Sequence, residues 1–560
     1  IHTLLMPDLT TTAIRLYRTL FGAPPGSTLA EEGVDTVLDG NSAVALSEAM
    51  IAQDAVMGGS FPTGSADLAW RSESGGANLF GGSLAAHQAE GPRGAVAAAI
   101  GLALAGRRVT SFLSGPDIGA VQDLLVSAAG RNLPIVLHLS NRAMAAHGAA
   151  LGSGHEAFHL SADSGFFTLF AANVQEAADF TFIARRVAEQ TLTPGLVVMD
   201  GELTALSAQN LCLLSPAQVE KFLGPADGQI EVPTAAQKLL FGDTRRRVPR
   251  WYDLDRPVLQ GALFGPESYA LGAAAQKPYF NQQVSESLRE CYRLFAQHTG
   301  REYGPVSTHM LDDASLVLVA QGAAQETARG VADYLRRERK TPIGVLGINN
   351  LRPFPAAEVV DRLKGKQAVA VLERLDAPLA SDSPLLREIR TSLDRALESG
   401  SPVLEYPHLE QRELPVCQSV HYGVGGQPLR ARDLIALSAR LADGAGPTLY
   451  LGADFGSAAS AHPKRQVLLD TLRRAYPDTA TLAVRGSEVP ADLVSTSSIS
   501  IAIHRLTGRG HEDLACQTGT LLQRLEAGQV RTRPGLSWER WGSCCVDRIL
   551  HAADGLQDPG

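Results

Sequence analysis

The stretch RRVTSFLSGPDIGAVQDLLVSAAGRNLPIVLHLSN (107–141) decides the fold. RRVTSFLSGP (107–116) reads as a strand that ends in a small-residue turn. VQDLLVSAAG (121–130) reads as a helix, and LPIVLHLSN (133–141) as the next strand. Strand–helix alternation of this kind implies a parallel sheet covered on both faces. The alternation continues: VQEAADFTFIARRVAEQ (174–190) is amphipathic and helical and leads into the strand GLVVMDG (195–201). In open sheets of this kind ligands bind beyond the carboxyl ends of the strands, where SGPD, SNRA and MDGE fall.

A second α/β unit is read from ASLVLVAQGAA (314–324), the helix QETARGVADYLRRE, and the strands IGVLGINNLRPFP (343–355), QAVAVLERLDAP (367–378) and SPVLEYPHL (401–409). The expected organisation is a first α/β domain over 1–245, a crossing linker over 246–312 that ends in one helix, a second domain over 313–440, and a C-terminal region over 441–560. At 560 residues, about three domains is the ordinary expectation.

Composition narrows the classes. Hydrophobic residues make up 45 % of the chain and charged residues 19 %, the balance of a globular protein with a large core. Net charge is −9 and the basic residues are scattered, so no concentrated face for a nucleic-acid backbone is expected. The run RRR (245–247) reads as a solvated loop. The six cysteines are Cys212, Cys291, Cys417, Cys516, Cys544 and Cys545, with no C-x-x-C among them. Clustered thiolates for an iron–sulfur centre are therefore not expected, and free thiols in a reducing cytoplasm are. The opening IHTLLMPDL lacks a basic start followed by an apolar run, and no apolar stretch approaches membrane-spanning length. His87, His147, His155 and His159 show no paired metal spacing and read as structural, so no metal site is expected. Gly508-Arg509-Gly510 reads as a strand-to-helix turn.

Two side chains stand out chemically. Glu90, in AAHQAEGPRGAVAAAIGLALAG, precedes a Gly/Ala-rich helix with little other polarity. It is either a helix-start residue or a poised acid. Arg142 follows a strand directly at the ligand edge, and a planar guanidinium there suits bidentate capture of a small carboxylate.

Several segments in order resemble the 2-oxoacid:ferredoxin oxidoreductase family. DGNSAVALSEAMIAQDAV (39–56) resembles its opening DGN helix. HQAEGPRGAV is similar to the segment whose glutamate hydrogen-bonds the aminopyrimidine of thiamine diphosphate, which implies that role for Glu90. VTSFLSGPD resembles the strand and turn beside the cofactor, implying Ser114 and Gly115. VLHLSNRAMAAHGAALGSGHEAF is similar to the segment whose arginine grips the 2-oxoacid carboxylate, implying Arg142. RPVLQGALFGPESY, QHTGREYGP, LRPFP, VLERLDAP and VHYGVGGQPL continue the resemblance to about residue 440.

The resemblance implies a pyrimidine-binding domain of the thiamine-diphosphate-binding fold, a transketolase C-terminal-like second domain and a partial gamma-like end. It implies an alpha-type subunit for CoA-dependent oxidative decarboxylation, pyruvate being the first choice. A beta-type partner would hold the diphosphate, Mg²⁺ and Fe–S clusters in a dimer of heteromers served by ferredoxin or flavodoxin. The sequence departs from the family in three places. The Y-P-I-T-P-S-S substrate loop reads GSFPTGS (59–65), leaving Thr63 and Ser65. G-D-H-Q-D reads SGHEA, keeping His155. D-G-F-R-T-S-H-E reads DGELTALSA, without its arginine. A catalytically decayed assembly subunit is the alternative expectation, and a transketolase-like carboligase component a third.

Overall fold

The computed structural model describes residues 33–144, 152–253, 265–398, 407–442, 444, 446–455, 463–487, 505–506 and 546–547. The first described element is β1 (Val34–Leu38). The first domain is then built on β2 (Asp54–Met57), β3 (Ala85–Gln88), β4 (Val109–Ser114), β5 (Val136–Asn141), β6 (Phe167–Phe170) and β7 (Gly195–Asp200). These six form one sheet in the order β3-β2-β4-β5-β7-β6, every neighbouring pair parallel. The apolar runs divide strictly by the pleat. On β7, Val197 and Met199 enter one core while Leu196 and Val198 enter the other, which is how a strand without polar alternation serves a doubly covered sheet. A short antiparallel ladder joins β1 to β8 (Gln209–Leu213).

Polar groups inside the first core are matched in pairs. Glu48 receives Arg185 at 2.7 and 2.8 Å and His138 at 3.0 Å, all three buried. Arg108 and Glu189 form a second buried pair at 2.6 and 3.0 Å. Buried charges need such partners, because an unpaired one is strongly destabilising.

Two short strands, β9 (Gln229–Glu231) and β10 (Thr244–Arg246), form a hairpin-like ladder. This corrects the reading of RRR as a solvated loop. Arg245 is buried, donates to Gln237 at 2.8 Å and reaches the Glu189 carbonyl at 2.6 Å. The linker is also more structured than expected. One helix, Pro266–Gln276, runs through a π-type turn at Lys277–Asn281 into Gln282–Thr299. Val284, Leu288, Cys291, Tyr292 and Phe295 bury the second helix on the first domain, and all five belong to its core.

The second sheet begins inside that linker, with β11 (Val306–His309). It continues through β12 (Leu316–Ala320), β13 (Ile343–Ile348), β14 (Ala368–Glu373), β15 (Val416–His421), β16 (Leu449–Leu451) and β17 (Ala483–Val484). The order is β11-β13-β12-β14-β15-β16-β17, parallel except where β11 meets β13. The sheet therefore runs on past residue 440, because β16 and β17 continue its ladder. The strand read at 401–409 has its first six residues outside the described ones, and its remainder is not strand. His147, Gly508–Gly510, Cys516, Cys544, Cys545 and most of the gamma-like stretch from 499 also lie outside them. None of the described helices is long and apolar enough to cross a membrane.

The helix Val174–Thr191 starts where β6 ends. Asn173 accepts the Glu176 amide at 3.0 Å, and the Glu176 carboxylate accepts the Ala172 amide at 2.7 Å. Burial pushes Glu176 up from 4.5 to about 7, against the pull of that amide and of Arg329. A raised acid favours its protonated form in the folded state. The associated stability is complete below pH 4.5 and is lost as pH rises through 7. Glu176→Gln is expected to flatten that loss, by up to about 3 kcal/mol between about pH 5 and 8. Denaturant melts of both proteins at the two pH values measure it, and parallel pH profiles would refute it.

Candidate functional site

The carboxyl ends of β2, β4 and β5 lie side by side, and the loops that leave them make the site. The loop after β2, residues 58–63, is anchored to the turn after β4. Asp117 accepts the Ser60 amide at 2.8 Å, the Ser60 hydroxyl at 2.6 Å and the Ser114 amide at 2.8 Å. Asp117 is the third residue of the helix Gly115–Gly130. Its reach back to Ser114 is a helix-start device that the S-x-x-D spacing signals. The DGN segment braces the same loop from behind. Asn41 donates to the Pro62 carbonyl at 2.7 Å and accepts from Ser140 at 2.6 Å. Asp39, which caps the helix Gly40–Ala49, accepts from Ser65 at 3.0 Å.

Arg142 follows β5. Its guanidinium lies over the Phe61 ring, 5.7 Å from the centroid, and contacts the Phe61 carbonyl at 3.5 Å. Cation–π placement of this kind holds a guanidinium by its face, so that the planar edge keeps its hydrogen-bonding geometry. Gly115 is where the β4 turn meets the arginine backbone. A Cβ there would sit 1.8 Å from the Arg142 carbonyl oxygen, so only glycine permits the approach.

Glu90 lies one strand further out, after β3. It is exposed, and its carboxylate folds over the first turn of the helix Pro92–Leu104, where a Cβ on Gly94 would be 2.7 Å away. A carboxylate there is favoured by the helix dipole. The next residue, Gly91, touches the loop after β2. A Cβ at Gly58 would be 2.6 Å from the Gly91 carbonyl oxygen. Glu90 and Arg142 thus flank the 58–65 loop on one sheet edge. No ion pair or hydrogen bond engages the Glu90 side chain among the described residues, which leaves it open to a ligand.

The other sequence-predicted residues divide. Ser114 and Gly115 belong to the β4 turn beside Arg142. Ser65 is taken up by Asp39, and Thr63 is buried at the start of the helix Gly64–Glu73. His155 stands apart, wholly buried between the domains. Its Nε2 lies 3.2 Å from Asp200, its amide donates to the Arg374 carbonyl at 2.7 Å, and Phe170 and Tyr422 pack around its ring. Asp39, Asn41, Phe61 and Asp117 were not among the predicted site residues. Their capping positions and loop membership carry the only sequence signal. Among the described residues no group of three or more His, Cys, Asp or Glu side chains is placed to hold a metal ion.

The site therefore lies at the strand ends of a parallel α/β protein, with an arginine and a carboxylate on one edge. Residues 71–287 match the family described as pyruvate flavodoxin/ferredoxin oxidoreductase, thiamine-diphosphate-binding. Residues 314–430 match the pyruvate:ferredoxin oxidoreductase core domain II. The two matched stretches thus follow each other along the chain as the thiamine-diphosphate-binding domain and core domain II do in the family models.

Among relatives, it is 27 % identical over 365 residues to a probable pyruvate-flavodoxin oxidoreductase of Escherichia coli, covering 65 % of this chain and 29 % of that protein. It is 29 % identical over 289 residues to pyruvate synthase subunit PorA of Methanocaldococcus jannaschii, covering 51 % and 69 %. A solved 2-oxoglutarate:ferredoxin oxidoreductase of Magnetococcus marinus is 15 % identical with a TM-score of 0.46, covering 72 % of this chain and 66 % of that one. The match thus spans less than a third of the Escherichia coli relative and about two thirds of the PorA subunit.

Asp117→Ala should free the 58–62 loop, because three donors lose one shared acceptor. The expected cost is about 1–3 kcal/mol in stability. Amide exchange at Ser60 should accelerate while β4 stays protected, and unchanged exchange at Ser60 would contradict the bracing role.

Proposed function

We propose that this protein is the alpha-type subunit of a CoA-dependent 2-oxoacid:ferredoxin or flavodoxin oxidoreductase, with pyruvate the first substrate to test. One observation carries the reading: Glu90 and Arg142 stand on one carboxyl edge of a family-matched pyrimidine-binding domain, with the 58–65 loop between them. The donor set fits the pyrimidine half of the cofactor. Glu90 offers an exposed carboxylate to a ring nitrogen, while Ser114 and Gly115, both buried, pack the β4 turn against the Arg142 backbone.

Thiamine diphosphate, when bound, supplies a nucleophilic carbon and an electron sink for decarboxylation. Glu90 holds the proton at the pyrimidine nitrogen and so selects the ring tautomer. Arg142 binds the substrate carboxylate through its planar donors and fixes the carbonyl for attack. Phe61 supports the guanidinium from below. The diphosphate, Mg²⁺ and Fe–S clusters are assigned to a beta-type partner in a dimer of heteromers, and the setting to the cytoplasm. That partner would pass the electrons to ferredoxin or flavodoxin, and CoA would accept the acyl group.

A catalytically silent assembly subunit is the second reading. The burial of Thr63 favours it, since the threonine kept in the rewritten loop faces the interior.

The test is co-expression with the neighbouring gene product, followed by pyruvate- and CoA-dependent reduction of a viologen dye. Glu90→Gln is expected to lower turnover by about a hundredfold or more with the fold intact. Near-wild-type turnover in that variant would overturn the assignment to Glu90. A stable wild-type complex inactive on every 2-oxoacid would favour the assembly role.

A further inference from the structure

The Arg142 backbone is held by a short returning strand. Arg142 and Ser153 form an isolated antiparallel bridge, the Ala143 amide donates to the Gly152 carbonyl at 2.9 Å, and the Gly154 amide donates to the Asn141 carbonyl at 3.4 Å. The position of the guanidinium therefore depends on what holds residues 152–154.

Those residues are gripped from two directions. The Glu202 carboxylate accepts the Ser153 amide, and the Glu202 amide donates to the Ser153 hydroxyl at 3.3 Å. The other carboxylate oxygen of Glu202 accepts from Arg374, on the second domain, at 2.5 Å. The Arg374 carbonyl in turn accepts the His155 amide at 2.7 Å. One residue of the second domain thus holds the returning strand through its backbone and, via Glu202, through its side chain. Arg374 is buried, with 2 % of its side chain exposed against 19 % for Glu202. Burial disfavours its charge, but Glu202, Asp200 and Tyr422 more than restore it and raise its pKa.

Two glycines let the clasp close. A Cβ at Gly152 would be 3.2 Å from the Glu202 carboxylate and 3.4 Å from the Arg374 guanidinium. A Cβ at Gly423 would be 2.6 Å from Arg374 Nε. Glu202 also sits in a π-type turn, Gly201–Ala205, straight after β7. Such turns are frequent at working sites. The segments DGELTALSA and SGHEA, each a departure from the family pattern, meet in space here and are bonded to each other.

We propose that the Glu202–Arg374 pair is a positioning device for Arg142, so that the second domain sets the site's affinity for the 2-oxoacid carboxylate. The inference rests on the reading of Arg142 as the carboxylate anchor. A shift of about 1 Å in such an anchor is enough to impair a bound geometry severely. Glu202 and Arg374 act in this proposal as positioning residues. Their action is carried by the 152–154 strand.

The experiment uses the protein assembled with its partner and compares Glu202→Gln, Arg374→Met, Arg374→Lys and Gly152→Ala with the wild type. Steady-state kinetics with pyruvate and amide exchange without it are read on the same preparations. Glu202→Gln and Gly152→Ala should raise KM about tenfold, the worth of one charge-assisted hydrogen bond, with kcat far less affected. Exchange at Ala143 and Ser153 should accelerate in both, while β4 keeps its protection. Arg374→Lys, which retains the charge, should restore part of the affinity relative to Arg374→Met. Faster exchange with an unchanged KM would reduce the pair to a structural staple and overturn the proposal, as would unchanged exchange. A wild-type complex without 2-oxoacid turnover would instead overturn the functional reading itself.

Discussion

The carboxylate of Asp200 is the joint on which the two domains turn. It ends β7, is buried, and accepts the Ala323 amide at 2.7 Å and His155 Nε2 at 3.2 Å. Burial alone would raise its pKa. The His155 hydrogen bond and charge, Arg374, and the Ala323 amide hold it below its ordinary value. An anion kept charged in that setting needs every one of its donors, because removing one leaves a buried charge uncompensated. The donors come from both domains, and the approach is close. Gly322 has φ +56°, and a Cβ there would be 2.3 Å from the Asp200 carboxylate. Satisfying this oxygen pair thus ties the end of β7 to the second domain.

That joint also settles the fate of a sheet edge. An edge strand presents unpaired amides and carbonyls, and β6 is the outer strand on this side. The second domain covers it: the Thr168 amide donates to the Arg352 carbonyl at 2.8 Å, and the Phe170 amide donates to the Asn349 carbonyl at 2.6 Å. The Thr168 hydroxyl accepts the Leu351 and Arg352 amides at 3.0 Å each. The opposite edge, β3, lies beside Glu90 and has no such cover from the described residues. The first domain is consequently asymmetric. Its Arg142 side is locked to the second domain, and its Glu90 side is left open, which is the geometry a cofactor shared with a partner subunit requires on the proposed reading.

How much of this the residues announce depends on how local the cause is. The parallel sheets are legible because the strands VTSFLS, VLHLSN and LVVM alternate with helical stretches along the chain, the pattern of a sheet covered on both faces. Asp39, Asn173 and Asp117 act within a few residues of their own position, and their spacing before helices reports it. Distant causes leave no such mark. Arg245 looks like one member of a surface run until Gln237 and the Glu189 carbonyl enclose it. Glu202 and Arg374 are 172 residues apart, and neither has a neighbour that advertises the other. The roles proposed for Glu90 and Arg142 come from family resemblance, since an acid before a helix and an arginine after a strand are each ordinary alone.

The rewritten substrate loop takes on a definite physical meaning in this frame. GSFPTGS keeps its scaffold, because Asp117, Asn41 and Asp39 bind its backbone and Ser65 regardless of which side chains face the ligand. Thr63 turns inward to start a helix, and Phe61, 55 % exposed, comes to lie beneath the Arg142 guanidinium. A guanidinium stacked on an aromatic ring keeps the geometry of its planar edge. On the proposed reading, carboxylate capture would rest with Arg142 and the segment that holds it, and contact with the rest of a substrate with the Phe61 ring and the backbone of a loop whose course is fixed from behind.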